Sequence, residues 1–240
     1  MDPSTLRALE EQRCHYEQRA AEFDEKHLGS RINRCHRAKI RRILGHLDVG
    51  PEAPVLEVGT GTGIHAAWLL ELCPVRYIGV DLSPDMLEIA RRRLGADTEL
   101  IESPAEELPF SDGSFAAAFC SGTLHHVADR SRAVAEMRRV VRPGGRVVVS
   151  EPSPWNPLNA TAWLTQPVER GQVDMRPAVL SRWFELAGLS VDAVEFFNFT
   201  PPRPSFLARP FDAIDRVASK LPGLRRIASM VLIAGTVCES

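Results

Sequence analysis

VLEVGTGTGIHAAWLL, Val55 to Leu70, reads as an apolar strand that turns through three glycines directly into a helix. Gly59, Gly61 and Gly63 alternate with Thr60 and Thr62, so the backbone turns tightly and presents N–H groups with no Cβ in front of them. The helix brings its positive end to the same place, which suits a carboxylate or another anionic group. The loop is not a P-loop, because no Gly-Lys-Ser/Thr closes it. Nor is it a dinucleotide fingerprint, because Ile64 stands where G-x-G-x-x-G needs glycine. What remains is acid-x-Gly-x-Gly-x-Gly, led by Glu57. A carboxylate ending an apolar strand is costly unless something hydrogen-bonds to it. Either a ligand ammonium group does so, or Glu57 ties down its own loop.

A second strand, RYIGV from Arg76 to Val80, ends in Asp81, 22 positions after Gly59. That offset is close to the roughly twenty residues at which a βαβ unit brings an acid to the hydroxyls of a bound ribose. Glu57, the glycines and Asp81 together fit an amino acid joined to a nucleoside. At this point the chain resembles the class I S-adenosylmethionine-dependent methyltransferases, above all the small-molecule type that includes the ubiquinone and menaquinone biosynthetic enzymes. The resemblance is strong from Val55 to about Pro152, where RRVVRPGGRVVVSEP matches the family's late motif, and loose elsewhere.

The resemblance implies an α/β fold: a Rossmann-like, seven-stranded, mostly parallel sheet with helices on both faces, an antiparallel last strand and a helical N-terminal cap. It divides the chain into a cap or lid over residues 1–50 and a cofactor-binding domain over 51–240, with a substrate-side insertion at about 199–228. The cofactor implied is S-adenosyl-L-methionine, released as S-adenosyl-L-homocysteine. Contacts to it are expected from Glu57, Gly59, Thr60, Gly61, Gly63, Asp81, Leu82 and Met86. Ser83-Pro84-Asp85 after the acid is a good helix start, with serine as N-cap and proline in the first turn. In the cap, YEQRAAEFDE is similar to the family segment that closes over the cofactor, which adds Tyr16, with Phe23, His15, His36 and Arg37 as weaker neighbours.

SPAEELPF, residues 103 to 110, is similar to the segment whose acid reads the adenine edge, but Pro104 occupies the acid's place. Proline offers neither a carboxylate nor an N–H, so the Ala105 N–H or the Glu106 side chain has to serve. Ser121 to His126 follows a fourth strand, Ser114 to Cys120, and ligands in such sheets sit beyond the carboxyl ends of strands, which makes Ser121 a further cofactor contact. Asp129 is expected to cap a helix from Arg130 to Val141. His125, His126 and Glu151 are the candidate catalytic residues, able to take a proton from a hydroxyl or an acidic carbon; packing is the alternative for each. Glu151 leads into PSPWNPLNA, read as a proline-rich loop on the substrate side, where Trp155 and Asn156 would meet substrate, with Phe199 in the insertion. Some relatives hold a divalent metal with carboxylates near this segment; Gly122 and His125 stand at those places, so no metal is expected.

The rest of the chain narrows the partners. Its 240 residues carry a net charge of −2, which gives no basic footprint for nucleic acid. Five scattered cysteines with no C-x-x-C argue against a disulfide framework and for a reducing, cytoplasmic setting. No apolar run reaches the length of a membrane span. A small-molecule substrate is expected, within small-molecule biosynthesis or secondary metabolism. An exposed Phe206-Leu207 face would suit a membrane surface or a homodimer. The reaction implied is methyl transfer to an O, N or C atom of an apolar or aromatic metabolite. The alternatives are a cofactor-binding relative that catalyses a cyclisation or rearrangement, and a non-catalytic partner protein.

Overall fold

Every residue of FAAAFCS, Phe115–Ser121, is buried, as a strand covered on both faces must be. The computed structural model describes residues 30–198 and 227–238, together with residues 10, 221 and 224. Within them the order is α1 (Ser30–Leu47), β1 (Pro54–Val58), α2 (Ile64–Leu72), β2 (Arg76–Asp81), α3 (Pro84–Leu94), β3 (Glu99–Glu102) and β4 (Phe115–Ser121). A short 3-10 turn (Leu124–His126) leads to α4 (Arg130–Val140), β5 (Val141–Pro152) and α5 (Pro157–Thr165). A longer 3-10 segment (Pro167–Asp174), α6 (Pro177–Leu186), β6 (Leu189–Phe197) and β7 (Met230–Val237) follow.

The seven strands form one sheet in the order β3-β2-β1-β4-β5-β7-β6. Pairing is parallel from β3 to β5, and β7 runs antiparallel between β5 and β6. The Rossmann-like sheet with one antiparallel last strand is therefore the architecture present. Two cores cover its faces. On one, Ile40, Ile43 and Leu47 of α1 pack with α2 and α3 residues such as Leu69 and Leu87. On the other, Ala133, Val134 and Met137 of α4 pack with Leu180 and Phe184 of α6. The described part of the expected cap thus contributes a helix whose apolar face, at spacing i, i+3, i+7, is fully buried against the sheet.

The helix starts follow the local chemistry. Ser83 Oγ accepts from Met86 N at 3.3 Å, and Asp129 Oδ1 accepts from Arg132 N at 3.0 Å. One expectation is corrected: PSPWNPLNA is not all loop, because α5 begins inside it at Pro157. Asn156 Oδ1 accepts from Asn159 N at 3.2 Å, so Asn156 caps the helix and proline takes the first position, where its missing N–H costs nothing. His15, Tyr16, Phe23, Phe199 and the Phe206-Leu207 pair lie outside the described residues.

Candidate functional site

Strand order reverses between β1 and β4, so their carboxyl ends diverge and leave the crevice in which ligands of open α/β sheets bind. An open cavity lies there, walled by segments that follow the strand ends. One wall is the glycine loop, Gly59 to Thr62. A second is Asp81, Leu82, Ser83 and Met86. A third is Ser103 to Glu106, and a fourth runs from Ser121 to Thr123 with His126 and Val127. His36 of α1 and His65 of α2 complete it.

The loop holds its shape by left-handed turns at Gly59, Gly61 and Gly63, with φ of 75°, 53° and 74°. Gly59 has a second constraint, because a Cβ there would collide with the Thr123 side chain, whereas nothing stands near a Cβ on Gly61. Gly59→Ala is therefore expected to destabilise the protein by roughly 3 kcal/mol, combining backbone strain with overpacking. That lowers the melting temperature by about 6–12 °C. Gly61→Ala meets the strain alone, roughly 1 kcal/mol, so thermal melts of the two variants should separate clearly.

Asp81 links the loop to β2. Its Oδ2 accepts from Gly61 N at 2.7 Å and its Oδ1 from Ser83 N at 3.0 Å. Burial raises its pKa while the Ser83 and Gly61 amides oppose the rise. Glu57 lies beneath the loop and is fully buried. Its Oε2 accepts from Tyr77 Oη at 2.6 Å and Thr60 Oγ1 at 3.1 Å, and Thr60 and Tyr77 are hydrogen-bonded to each other. On the far side of the cavity, Glu151 ends β5, fully buried. Its Oε1 accepts from Thr123 N at 3.0 Å and Leu124 N at 2.8 Å, and its Oε2 is 2.5 Å from His125 Nδ1.

A methyltransferase-domain family model matches residues 56–149. An uncharacterized 37.1 kDa protein in a Streptomyces fradiae transposon is 34% identical over 205 residues, which cover 80% of this chain and 56% of that protein. The demethylmenaquinone methyltransferase of Deinococcus radiodurans is 44% identical over 101 residues, 40% of this chain and 42% of the enzyme. The chain spans about half the length of the curated relatives it matches. The structure of a SAM-dependent methyltransferase from Thermotoga maritima superposes with a TM-score of 0.68 at 24% identity, over 94% of this chain and 99% of that one. Residues 56–149 are a methyltransferase domain.

Within this methyltransferase domain the sequence-expected residues divide by where their polar atoms point. Gly59, Thr60, Gly61, Asp81, Leu82, Met86, Ala105, Glu106, Ser121 and His126 are all in the cavity wall. Gly63 lies one step behind, as the residue preceding α2. Glu57 does not reach the wall; of its two readings, the loop-tying one matches the geometry, since Tyr77 and Thr60 take its Oε2. Glu106 lines the cavity, but its Oε1 accepts from Ala128 N and Asp129 N at 3.2 Å each, so that oxygen fixes the entry to α4. Of the acid–base candidates, His125 and Glu151 face each other behind the wall, where the Glu151 carboxylate meets two amides and an imidazole. Asn156 is occupied in capping α5 and in donating to Ile227 O at 2.6 Å. Trp155, half-exposed, stacks on Phe196 with centroids 6.2 Å apart. Neither belongs to the cavity wall.

Sequence reasoning missed His65, Ser103, Thr123 and Tyr77. His65 was legible in principle, sitting two residues after Gly63 on the first turn of α2. Its Nε2 lies 2.9 Å from His36 Nδ1, and its Nδ1 lies 3.6 Å from Glu57 Oε1.

Burial pushes Glu57 up to about 8, although Tyr77, Thr60 and Lys39 work against it. Burial works to lower His125, but the Glu151 and Glu169 carboxylates outweigh it and hold the imidazole at about 9. The ordinary values are 4.5 and 6.5, so between pH 6.5 and 8 the folded protein keeps two protons that the unfolded chain has released. Stability is then lost as pH rises through this window, by about 2 kcal/mol for each group. Lys39, lowered by burial to about 8, opposes this trend only above that pH. Urea unfolding at pH 6.5 and 8 should show the fall, and Glu57→Gln should remove about half of it.

Proposed function

We propose that the protein transfers a methyl group from S-adenosylmethionine to an O, N or C atom of a small, apolar or aromatic molecule. The observation that carries this reading is the placement of Asp81 at the carboxyl end of β2, hydrogen-bonded to Gly61 N across the mouth of the cavity. There it faces the same space as the start of α2. An amino-acid carboxylate suits the helix end and a ribose diol suits the acid. Ser121 adds support: its Oγ is buried with no hydrogen-bond partner among the described residues, and it lines the cavity. With Pro104 in place of an acid, adenine is read by the backbone around Ala105 and by the apolar Leu82 and Met86 walls.

Methyl transfer from a sulfonium is an in-line displacement, so the protein acts mainly by holding the acceptor aligned and dry. Of the three expected acid–base residues, His126 is the one in the cavity wall and the one we place against the acceptor. We assign the lid to the part of the cap that precedes α1 and the substrate side to the insertion at about 199–228, with Tyr16 and Phe199 as their candidate contacts. No helix among the described residues is long and apolar enough to cross a membrane; the five scattered cysteines suit the reducing, cytoplasmic setting of this reading. Calorimetric titration of the full chain with S-adenosylhomocysteine tests the reading. Saturable one-to-one binding is expected, followed by S-adenosylhomocysteine formation from S-adenosylmethionine in a panel of phenol and quinol acceptors. Absence of binding would overturn it.

A further inference from the structure

We propose that His125, His126 and Glu169 form a binding site for a divalent transition-metal ion of the zinc, cobalt or nickel kind, at the edge of the cavity. The three side chains come from the two 3-10 segments, and their ligand atoms all lie within 4.8 Å of one another. His125 Nε2 stands 3.3 Å from Glu169 Oε2, and the two imidazole rings have centroids 3.7 Å apart. Two imidazoles and one carboxylate are a donor set suited to such ions and poorly suited to magnesium or calcium, which prefer oxygen.

The surroundings are those of a built site. With its Nδ1 engaged by the buried Glu151 at 2.5 Å, His125 offers Nε2 to an ion that displaces the second proton of the imidazolium. A carboxylate behind a histidine in this way fixes the tautomer and ring orientation of metal-binding imidazoles. Glu169 is held in turn by Gln172 Nε2 at 2.5 Å. The two segments meet closely at Gly171, where a Cβ would fall on the His125 carbonyl. Arg130 braces the same joint, donating to His125 O at 3.3 Å and Asp174 Oδ2 at 3.2 Å.

Ligand bonds of about 2.1 Å put neighbouring donor atoms roughly 3.3 Å apart, so the set must contract slightly. His126 and Glu169 are each only partly buried, so the contraction falls to them and not to His125, which Glu151 holds. The expectation of no metal rested on Gly122 and His125 replacing carboxylates, which counts against an oxygen-ligated ion and not against an imidazole site. Because His126 also lines the cavity, a bound ion would sit beside the acceptor and take that imidazole as a ligand.

The experiment is Co2+ titration of the chelator-stripped full chain, followed by visible absorption, with Zn2+ uptake measured by equilibrium dialysis. One equivalent of each ion is expected, with Zn2+ displacing Co2+ and bleaching the band. His126→Ala and Glu169→Gln, at positions open enough to leave folding intact, should each weaken uptake roughly tenfold or more. Near-UV circular dichroism confirms that they fold. Absence of stoichiometric uptake, or uptake unchanged in both folded variants, would overturn the proposal and leave the cluster as an ion pair between His125 and two carboxylates.

Discussion

Asp81→Ala is expected to weaken S-adenosylhomocysteine binding by roughly 100-fold, the equivalent of about 2.7 kcal/mol. Two effects add. A carboxylate that accepts hydrogen bonds from a ribose diol makes charge-assisted contacts, each about 1.5–3 kcal/mol. The same carboxylate also holds Gly61 N at 2.7 Å and Ser83 N at 3.0 Å, so its removal frees the glycine loop from the second strand and raises the ordering cost of binding. Asp81→Asn separates the two. It keeps the shape and one acceptor oxygen, but turns an N–H toward one of the two amides, so binding should fall by an intermediate factor. Calorimetry on all three proteins, with melting curves to show that each is folded, measures the effect. A change of less than about threefold in Asp81→Ala would remove the acid from the cofactor site.

The sheet was legible because its signals are local. The buried run of β4, the Ser83 and Asp129 caps and the glycines between β1 and α2 each rest on neighbours within a few positions. The helix at Pro157 was equally local, and was passed over because the prolines around it read as loop when Asn156-Pro157 was in fact a cap and first-turn pair. Side-chain direction was not legible in this way. Glu57, Asp81 and Glu151 are all acids at carboxyl ends of parallel strands, and nothing in their immediate sequence separates them. What separates them is distant: Tyr77, 20 positions from Glu57, and Thr123, 28 positions from Glu151. Asp81 faces the cavity because its own loop amide and that of Gly61 are at the rim. The metal-ligating candidate Glu169 is 44 positions from His125 and enters through a 3-10 segment that no periodicity announces.

Three acids therefore do different work at one end of one sheet. Glu57 holds the inner side of the glycine loop, Glu151 holds the turn after β4, and Asp81 is left at the opening between them. The two buried acids fix the backbone on either side of the cavity: Glu151 meets two amides and an imidazole, while Glu57, whose hydroxyl donors do not outweigh its burial, keeps a proton up to about pH 8. This is preorganisation of the main chain, which lets a ligand meet fixed walls without ordering them as it binds.

Glu151 offers the sharpest test of that division. Glu151→Ala is expected to cost roughly 4 kcal/mol of folding stability, because it strands Thr123 N, Leu124 N and a buried imidazole that carries a proton. Breaking a buried ion pair from one side is among the most damaging single substitutions. Glu151→Gln retains an oxygen for the two amides and loses the charge facing His125, so about half of that cost should return. It should also let the His125 pKa fall from about 9, since Glu151 is the main group holding it up against burial. Urea unfolding at pH 6.5 measures the ranking, and histidine titration by NMR follows the imidazole. A catalytic base facing the cavity predicts the opposite pattern, with little change in stability for either variant and a loss confined to turnover. If Glu151→Ala unfolds at the same urea concentration as the native protein, the scaffold role fails and the acid returns to the reaction.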